Sequence, residues 1–524
     1  MSANLFRSLA LSASIAVMMM GAASAAHAAD GAGMPAMPAP AVVQSGGSTT
    51  APLTIVQAGS AQQAAPMRNN DAVFVTPEPS RQQAAAIASP NAVSGKSAGG
   101  LPGRVTIAET VAFGVATNPE YTRNANNRRA TDEELNQAKG LYRPSIDLQG
   151  DMGAEYSDNA NTRNRIGQDD DETLFRRQAG LTLTQLLFDG YETKYENKRQ
   201  QARVLSAAHR VREASELVGV AIVESYLDVL RQRELLRISR QNVADHLTIM
   251  EQIADSANAG RSTDADNEQV KARLAAARAG EASTREALRV AEAGFIQQVG
   301  DPAQDLVMPL VPVDALSANV DEEIKKALTQ SPTLDIYEAD IKVAHQEFQG
   351  SKSTFYPQVD LQLNARRAEE VAGVEDGEDT SASALVVMNW NLYRGGIDTA
   401  RVREAKNREA QTKEERAKAA RQVENEVRTT WARMVSAGER AREFATQAAA
   451  NTETVKAYKD QFDLSRRTLL DVLDAQNELF VSQSNAVNAE FVEMFAVYRL
   501  LGLKGELLPT LGIAYPRESD PMKM

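Results

Sequence analysis

An internal duplication constrains this chain more than any other feature, because the same landmarks occur twice in the same order. Two pairs lie 213 positions apart (119 to 332 and 144 to 357): Asn118-Pro119 with Ser331-Pro332, and Pro144-Ser145-Ile146-Asp147-Leu148-Gln149 with Pro357-Gln358-Val359-Asp360-Leu361-Gln362. Three later pairs lie 205 positions apart (226 to 431): Phe188-Asp189-Gly190 with Tyr393-Arg394-Gly395, Tyr226 with Trp431, and Asp266 with Asp471. Five landmarks that share two offsets indicate tandem repeats, predicted at residues 105–310 and 311–510.

Each repeat is predicted to contain a helix, two strands, a long helix, a turn and a further helix. Apolar and polar residues alternate with a period of two in four predicted strands: Ser145–Tyr156, Ala179–Phe188, Val359–Arg366 and Ser383–Tyr393. This alternation fits a half-buried soluble sheet or a membrane barrel wall, and taken alone it favours the soluble sheet, which is commoner. Four strands are too few to close a barrel, so a membrane-spanning sheet requires other copies of the chain.

The predicted helices form long rods. Residues 191–259 and 397–464 carry apolar residues at spacings of three and four, and each rod is about 100 Å long at 1.5 Å per residue. Shorter predicted helices, stacked end to end, have the length to run beside each rod: 119–141 with 264–299, and 332–354 with 468–503. The period alone is also that of a soluble coiled coil. A pair of strands at one end of each rod favours a tube that extends away from a membrane.

Both ends of the chain differ from the repeats. Residues 1–28 have the charged, apolar and small-residue order of a secretory signal peptide, so the mature protein is expected to leave the cytoplasm. Residues 29–104 are rich in Ala, Pro, Gly, Gln and Ser without a helical or strand period, which predicts a disordered extension. Residues 511–524 are interpreted as a C-terminal tail outside the repeats.

The composition excludes several functions. Cysteine is absent and the four histidines lie far apart, so neither a metal site nor a nucleophilic catalytic site is expected, and we predict no enzyme activity and no cofactor. The net charge of −13 argues against a nucleic-acid partner. Two acidic runs, 168–172 and 375–379, are predicted to be solvated loops between paired strands.

A charged stretch at the start of the last long helix carries the main candidate site. Asp471 and Asp474 are three residues apart, and therefore on one helical face, a turn after Arg466 and Arg467. In the first repeat Asp266 stands where Asp471 stands in the second. An alternative role for Asp471 is stabilisation of a helix N-terminus directly after a turn, which is compatible with a role in lining a pore.

These residues resemble the TolC family of outer-membrane channel proteins. The likeness covers about residues 105–510 and is carried by three runs: Leu187-Phe188-Asp189-Gly190, Leu392-Tyr393-Arg394-Gly395-Gly396 and Thr468-Leu469-Leu470-Asp471-Val472-Leu473-Asp474-Ala475-Gln476-Asn477. The resemblance implies an α-helical protein with a membrane β-barrel: a homotrimer whose three chains form one 12-stranded barrel in outer-membrane lipid, continued by a helical periplasmic tunnel. Such a barrel is about 24 Å across at the backbone.

The resemblance also implies a gate, a lumen and partners. Asp471 and Asp474 would form carboxylate rings at the closed tunnel tip, and Arg467 would pair with Asp266. Polar strand residues would face the barrel lumen: Asp147, Gln149, Asp360 and Gln362. A periplasmic adaptor (membrane fusion) protein and an inner-membrane ABC or proton-driven pump would complete the assembly, since the chain has no GxxxxGK[ST] nucleotide loop.

Three departures from the family pattern lie beside the gate. Phe462 and Ser465 stand where the family often has tyrosine and glycine, and Gln269 stands where a second aspartate would lie. Arg466 or Arg261 is a candidate to compensate for them.

The predicted function is a passive outer-membrane exit duct for protein export. Likeness to the type I secretion branch rests on three runs: Leu186-Leu187-Phe188-Asp189-Gly190, Ala207-Ala208-His209-Arg210-Val211-Arg212-Glu213 and Tyr226-Leu227-Asp228-Val229-Leu230-Arg231. Multidrug or metal efflux is the alternative within the same class. A soluble periplasmic coiled-coil scaffold is the alternative from another class.

Overall fold

The computed structural model describes residues 104–160, 162–163, 171–258, 263–464 and 466–520, all within the unit Val93–Met524. The predicted signal peptide, the extension up to residue 103, Gly260, Arg261 and Ser465 lie outside these residues. The first repeat contains, in order, β1 (Arg104–Val105), α1 (Ile107–Thr117), α2 (Pro119–Gly140), β2 (Ser145–Ser157), β3 (Glu172–Phe188), α3 (Glu192–Asn258) and α4 (Asp264–Val299).

The second repeat has the same order of helices and long strands. It contains α5 (Val320–Gln330), α6 (Pro332–Gly350), β5 (Gln358–Glu369), β6 (Glu378–Asn389), α7 (Ile397–Asp463) and α8 (Leu469–Lys504), and a short α9 (Leu507–Thr510) follows. The short strand β4 (Asp305–Leu306) lies before the second repeat, at the end of the first. The long helices α3 and α7 have 67 residues each, hence a length of about 100 Å. Within the described ranges, no helix has the length and apolar character needed to cross a membrane.

The first duplicated landmark marks a helix start. Asn118 caps α2 by accepting a hydrogen bond from the backbone N–H of Glu120 at 2.8 Å, and Pro119 occupies the first helical position. Proline is favoured there because its missing N–H would have no intrahelical partner. In the second repeat Pro332 likewise begins α6, although the Ser331 side chain makes no capping bond.

Four long strands form one antiparallel sheet in the order β2-β3-β5-β6. Two strand predictions were wrong in their limits. β3 begins at Glu172 instead of Ala179, and β6 runs from Glu378 to Asn389 instead of from Ser383 to Tyr393. Both acidic runs were predicted as loops, yet Glu172 pairs with Ser157, and Glu378 with Glu369. Inter-strand hydrogen bonding holds these acidic residues in the sheet despite their low strand propensity. Residues 168–170 lie outside the described part of the chain.

The largest apolar core surrounds Tyr226, near the middle of α3. The Tyr226 hydroxyl is within hydrogen-bonding distance of two carbonyl oxygens, those of Val105 at 3.0 Å and Val307 at 2.5 Å. These carbonyls belong to the region where β1 and β4 pair in parallel. Phe295 of α4 and Tyr498 of α8 are buried in the same core, so side chains from both repeats contribute to it.

The C-terminal segment packs on the helices. Ile513 and Tyr515 contact the apolar core, and the Tyr515 hydroxyl donates to a carboxylate oxygen of Glu216 at 2.5 Å. Glu518 forms a 2.6 Å ion pair with Arg129 of α2. Residues 511–520 are therefore attached to the first repeat, which the sequence pattern did not indicate. Residues 521–524 are not described.

Candidate gate at the helix tips and the polar face of the sheet

The N-termini of α4 and α8 carry the same local motif. Thr263 and Asp266 form a capping box, in which the Thr263 N–H and hydroxyl donate to Asp266 Oδ2 at 3.0 and 2.8 Å, and the Asp266 N–H donates back at 3.2 Å. Thr468 and Asp471 form the same arrangement, with distances of 3.2, 2.8 and 3.3 Å. Each aspartate thus satisfies backbone groups at a helix start, where intrahelical partners are lacking.

Arg467 makes its ion pair within the second repeat. Its Nη1 lies 3.8 Å from Asp471 Oδ2, its Nε donates to the Gln461 side chain at 3.1 Å, and its guanidinium lies 4.2 Å from the centre of the Tyr458 ring. This contact lies within one repeat, because Asp471 lies one helical turn after Arg467, and the pair of Arg467 with Asp266 stays a prediction. Hydrogen bonds from Thr468, with a smaller contribution from Arg467, lower the pKa of Asp471, which therefore holds its charge.

A different charge pair joins the two repeats within the chain. Arg273 Nη2 of α4 donates to Asp474 Oδ1 of α8 at 3.0 Å. Asp474 was a candidate gate residue, whereas sequence reasoning missed Arg273. The available signal was its position seven residues after Asp266, which places both residues on one face of α4.

A second inter-repeat contact is more buried. The side-chain amide of Gln476, which is buried, donates to Asp245 Oδ2 of α3 at 2.5 Å. Gln476 belongs to the run that carried the family resemblance, but no pattern in the sequence indicated Asp245 as its partner. The start of α8 is therefore bonded to both α3 and α4 of the first repeat.

Apolar packing supports these polar contacts. Six buried side chains form a small core at the tips: Ile249, Ile253, Val270, Leu469, Val472 and Leu473. Phe462, which was identified as a departure from the family pattern, packs against this core together with Tyr458. Arg466 is exposed, and its backbone N–H donates to the Gln461 carbonyl at 2.9 Å.

The sheet has one mainly polar and one mainly apolar face. Paired residues of an antiparallel ladder lie on the same face, and the pairings are Asp147 with Thr182, Gln149 with Gly180, Thr184 with Gln362, and Leu186 with Asp360. The four predicted lumen residues therefore share a face. The opposite face carries apolar side chains that are highly exposed in the single chain, with exposures of 79% for Leu148, 76% for Met152 and 66% for Val386.

The described sites offer no reactive centre. Among the residues with described placement, no group of three or more His, Asp or Glu side chains is arranged to hold a metal ion. The chain has a sheet with two unlike faces at one end of α3 and charged helix tips at the other end, about 100 Å away.

The two-faced sheet and paired long helices define the class of outer-membrane channel proteins. Residues 116–301 and 324–491 match the family described as "Outer membrane efflux protein", so the chain belongs to that family, is located in the outer membrane and extends its helices into the periplasm. The resemblance inferred from sequence is thereby confirmed, and the soluble scaffold is set aside. The family and the fold are those of channels.

Individual relatives agree with this family. The chain is 25% identical over 420 residues to "Outer membrane efflux protein BepC" of Brucella suis biovar 1 (strain 1330), covering 78% of this chain and 88% of BepC. It is 23% identical over 377 residues to "Alkaline protease secretion protein AprF" of Pseudomonas aeruginosa, covering 70% of this chain and 77% of AprF. The fold matches the Campylobacter jejuni CmeC outer membrane channel with a TM-score of 0.68 at 12% identity. The match covers 80% of this chain and 90% of the CmeC chain.

Proposed function

We propose that three copies of this chain form one 12-stranded barrel in the outer membrane. The observation that carries this proposal is the open sheet: β2 and β6 are edge strands, one face is polar and the other is apolar and exposed. Unpaired strand edges cannot face lipid, so β2 of one copy pairs with β6 of the next. Asp147, Gln149, Asp360 and Gln362 then face a water-filled lumen.

At the other end, the helix tips act as the gate. Asp471 and Asp474 form carboxylate rings around the three-fold axis, and Asp266, Arg466, Arg467 and Phe462 surround them. Rings of like charge concentrate negative potential and attract cations. Arg273 holds Asp474 within the chain, and because an exposed pair contributes only about 0 to 1 kcal/mol, a periplasmic adaptor protein can open the tips at low cost.

The duct serves a tripartite export system for proteins of the type I secretion class. An inner-membrane ABC or proton-driven pump supplies the energy. Support comes from the similarity to AprF, which is named an alkaline protease secretion protein. Multidrug or metal efflux is the second candidate, favoured by the higher identity to BepC, which is named an efflux protein.

The parts of the chain are assigned accordingly. Residues 1–28 are a signal peptide that directs export, 29–104 an extension, 105–310 and 311–510 the two repeats, and 511–524 the tail. Outer-membrane location requires export across the inner membrane, which supports the first assignment.

Two measurements test the proposal. Cysteines introduced at paired edge positions of β2 and β6 should give cross-linked trimers in outer-membrane fractions, and monomers that do not cross-link would overturn the trimer. Deletion of the gene should abolish secretion of a protein cargo while drug and metal tolerance are unchanged. The opposite pattern would assign the duct to efflux.

A further inference from the structure

The ends of the strands nearest the helices carry a cluster of aromatic rings. Phe188 ends β3, Tyr191 precedes α3, and Tyr356 precedes β5. The Tyr191 ring meets Phe188 edge to face at a centroid distance of 5.5 Å and Tyr356 at 6.4 Å. The backbone of Tyr191 is left-handed, with φ of 71°, which is uncommon for a residue other than glycine. The chain therefore holds this ring between two others at a conformational cost.

Two lysines lie on the same surface. Residues 191, 194, 195 and 198 recur at spacings of three and four, so Tyr191, Lys194, Tyr195 and Lys198 form one face at the start of α3. Lys194 Nζ lies 5.3 Å from the Tyr191 ring centre and 5.9 Å from that of Tyr195, and Lys198 Nζ lies 6.0 Å from Tyr195. Both lysines are exposed, and no described carboxylate lies within the 4.0 Å of an ion pair. Their charges are free to bind an anion.

This cluster continues the apolar face of the sheet. Phe188 pairs with Val359, which alternates along β5 with the polar Asp360 and so lies on the apolar side. Lys194 adjoins this side where the sheet ends and the helices begin, because its Nζ lies over the Tyr191 ring, which in turn contacts Phe188. Aromatic rings with basic side chains at the end of an apolar band are typical of a membrane–water interface.

We propose that this junction surface, comprising Phe188, Tyr191, Lys194, Tyr195, Lys198 and Tyr356, binds the phosphate headgroup of an anionic glycerophospholipid. The proposal rests on the proposed function, in which the apolar face contacts lipid. The rings hold the upper acyl chains and glycerol, and the two ammonium groups contact the phosphate. Two exposed ammonium groups beside the lipid-facing band favour an anionic headgroup over a zwitterionic one.

The second repeat provides an internal comparison. The positions 205 residues later are Gly396, Thr399, Ala400 and Arg403, which include neither tyrosine nor lysine. The duplication has therefore not retained this surface, and each chain has one site. A trimer would bind three such lipids.

Native mass spectrometry of the purified full-length trimer tests the proposal. Phosphatidylglycerol is compared with phosphatidylcholine of the same acyl chains, for the wild type and for Lys194→Gln/Lys198→Gln. Since each basic residue near an anionic lipid strengthens binding about fivefold, the double variant should lose phosphatidylglycerol affinity by about 30-fold. The matched control Lys325→Gln/Lys326→Gln removes two exposed charges from α5 and should bind like the wild type.

Three results would overturn the inference: equal retention of both lipids, a double variant that binds like the wild type, or displacement by excess inorganic phosphate, which would indicate a free-phosphate site. Conductance measured on the same preparation in phosphatidylcholine separates this inference from the proposed function. Channels without lipid preference would refute only the lipid site. Absence of channels and of lipid preference would refute both.

Discussion

Arg273 of the first repeat donates a hydrogen bond to Asp474 of the second at 3.0 Å, and this pair joins α4 to α8 at the tips. The pair is partly exposed, so its contribution to stability is small, about 0 to 1 kcal/mol. Its position matters more than its strength, since it lies near the N-termini of α4 and α8, which the proposed function assigns to the closed end of the tunnel.

Arg273→Gln should loosen the closed gate. Without the charge pair, the resting conductance in planar bilayers should rise, with a change in gate stability of about 0 to 1 kcal/mol. Lys271→Gln is the matched control, because it removes an exposed pair with Glu268 inside the same helix. Equal conductance of Arg273→Gln, the control and the wild type would show that the pair does not hold the tips.

Gln476→Ala should destabilise the tips more strongly than Arg273→Gln. The substitution leaves Asp245 without the buried amide that donates to it, and a hydrogen bond to a charged group contributes about 1.5 to 3 kcal/mol. Hydrogen exchange of α8 should become faster near the tips. A double-mutant cycle with Asp245→Ala checks the coupling, and strictly additive effects would contradict it.

Attachment of the C-terminal segment should weaken as pH rises. Glu216 is buried and accepts hydrogen bonds from the Leu507 and Leu508 N–H groups and from Tyr515, yet burial raises its pKa from 4.5 to about 7. A carboxyl with a raised pKa binds its proton more tightly in the folded state, so the contribution of Glu216 to stability is fully present below pH 4.5 and is lost as pH rises to about 7. The free energy of unfolding falls by about 3 kcal/mol over this pH range.

Thermal unfolding at pH 5 and pH 8 measures this effect. Glu216→Gln cannot ionise and should show a smaller fall in melting temperature between these values than the wild type. Glu224→Gln, at an exposed position of the same helix, should retain the wild-type pH dependence. Identical profiles for the wild type and Glu216→Gln would rule out Glu216 as the titrating group.

Gly190→Ala should disrupt the junction between sheet and helices. Gly190 has φ of +66°, and an added Cβ would lie 2.7 Å from the Ser353 carbonyl oxygen and from Tyr356 Cβ. The variant should therefore give less heat-stable trimer in outer membranes. Gly280→Ala serves as the control, since an added Cβ at Gly280 meets nothing within 4 Å and alanine favours a helix by about 1 kcal/mol. Equal trimer yields would contradict the steric interpretation.

Sequence periodicity was sufficient for the repeats, the long helices and the existence of four strands, because each extends over many residues. Periodicity did not predict the strand limits, because pairing with residues distant in the sequence determines them. Glu172 and Glu378 were expected in loops, but strand partners hold them in the sheet.

The site was partly predictable for a related reason. The capping residues follow from local spacing, so Asp266 and Asp471 were found, whereas Arg273 and Asp245 acquire their partners more than 200 positions away. The tail at 511–520 carries no period of its own, and its attachment uses contacts with residues distant in the sequence, Tyr515 with Glu216 and Glu518 with Arg129. Contacts of this kind are not encoded in any local pattern.

Ion selectivity in planar bilayers tests the central claim most directly. Purified protein should form discrete, cation-selective channels that multivalent cations block from the tip side. Asp471→Asn/Asp474→Asn removes the charges but keeps side chains able to cap a helix, so it should retain channels and lose both selectivity and block. A protein that forms no channels, or a double variant with unchanged selectivity and block, would contradict the account of an outer-membrane duct closed by an acidic tip.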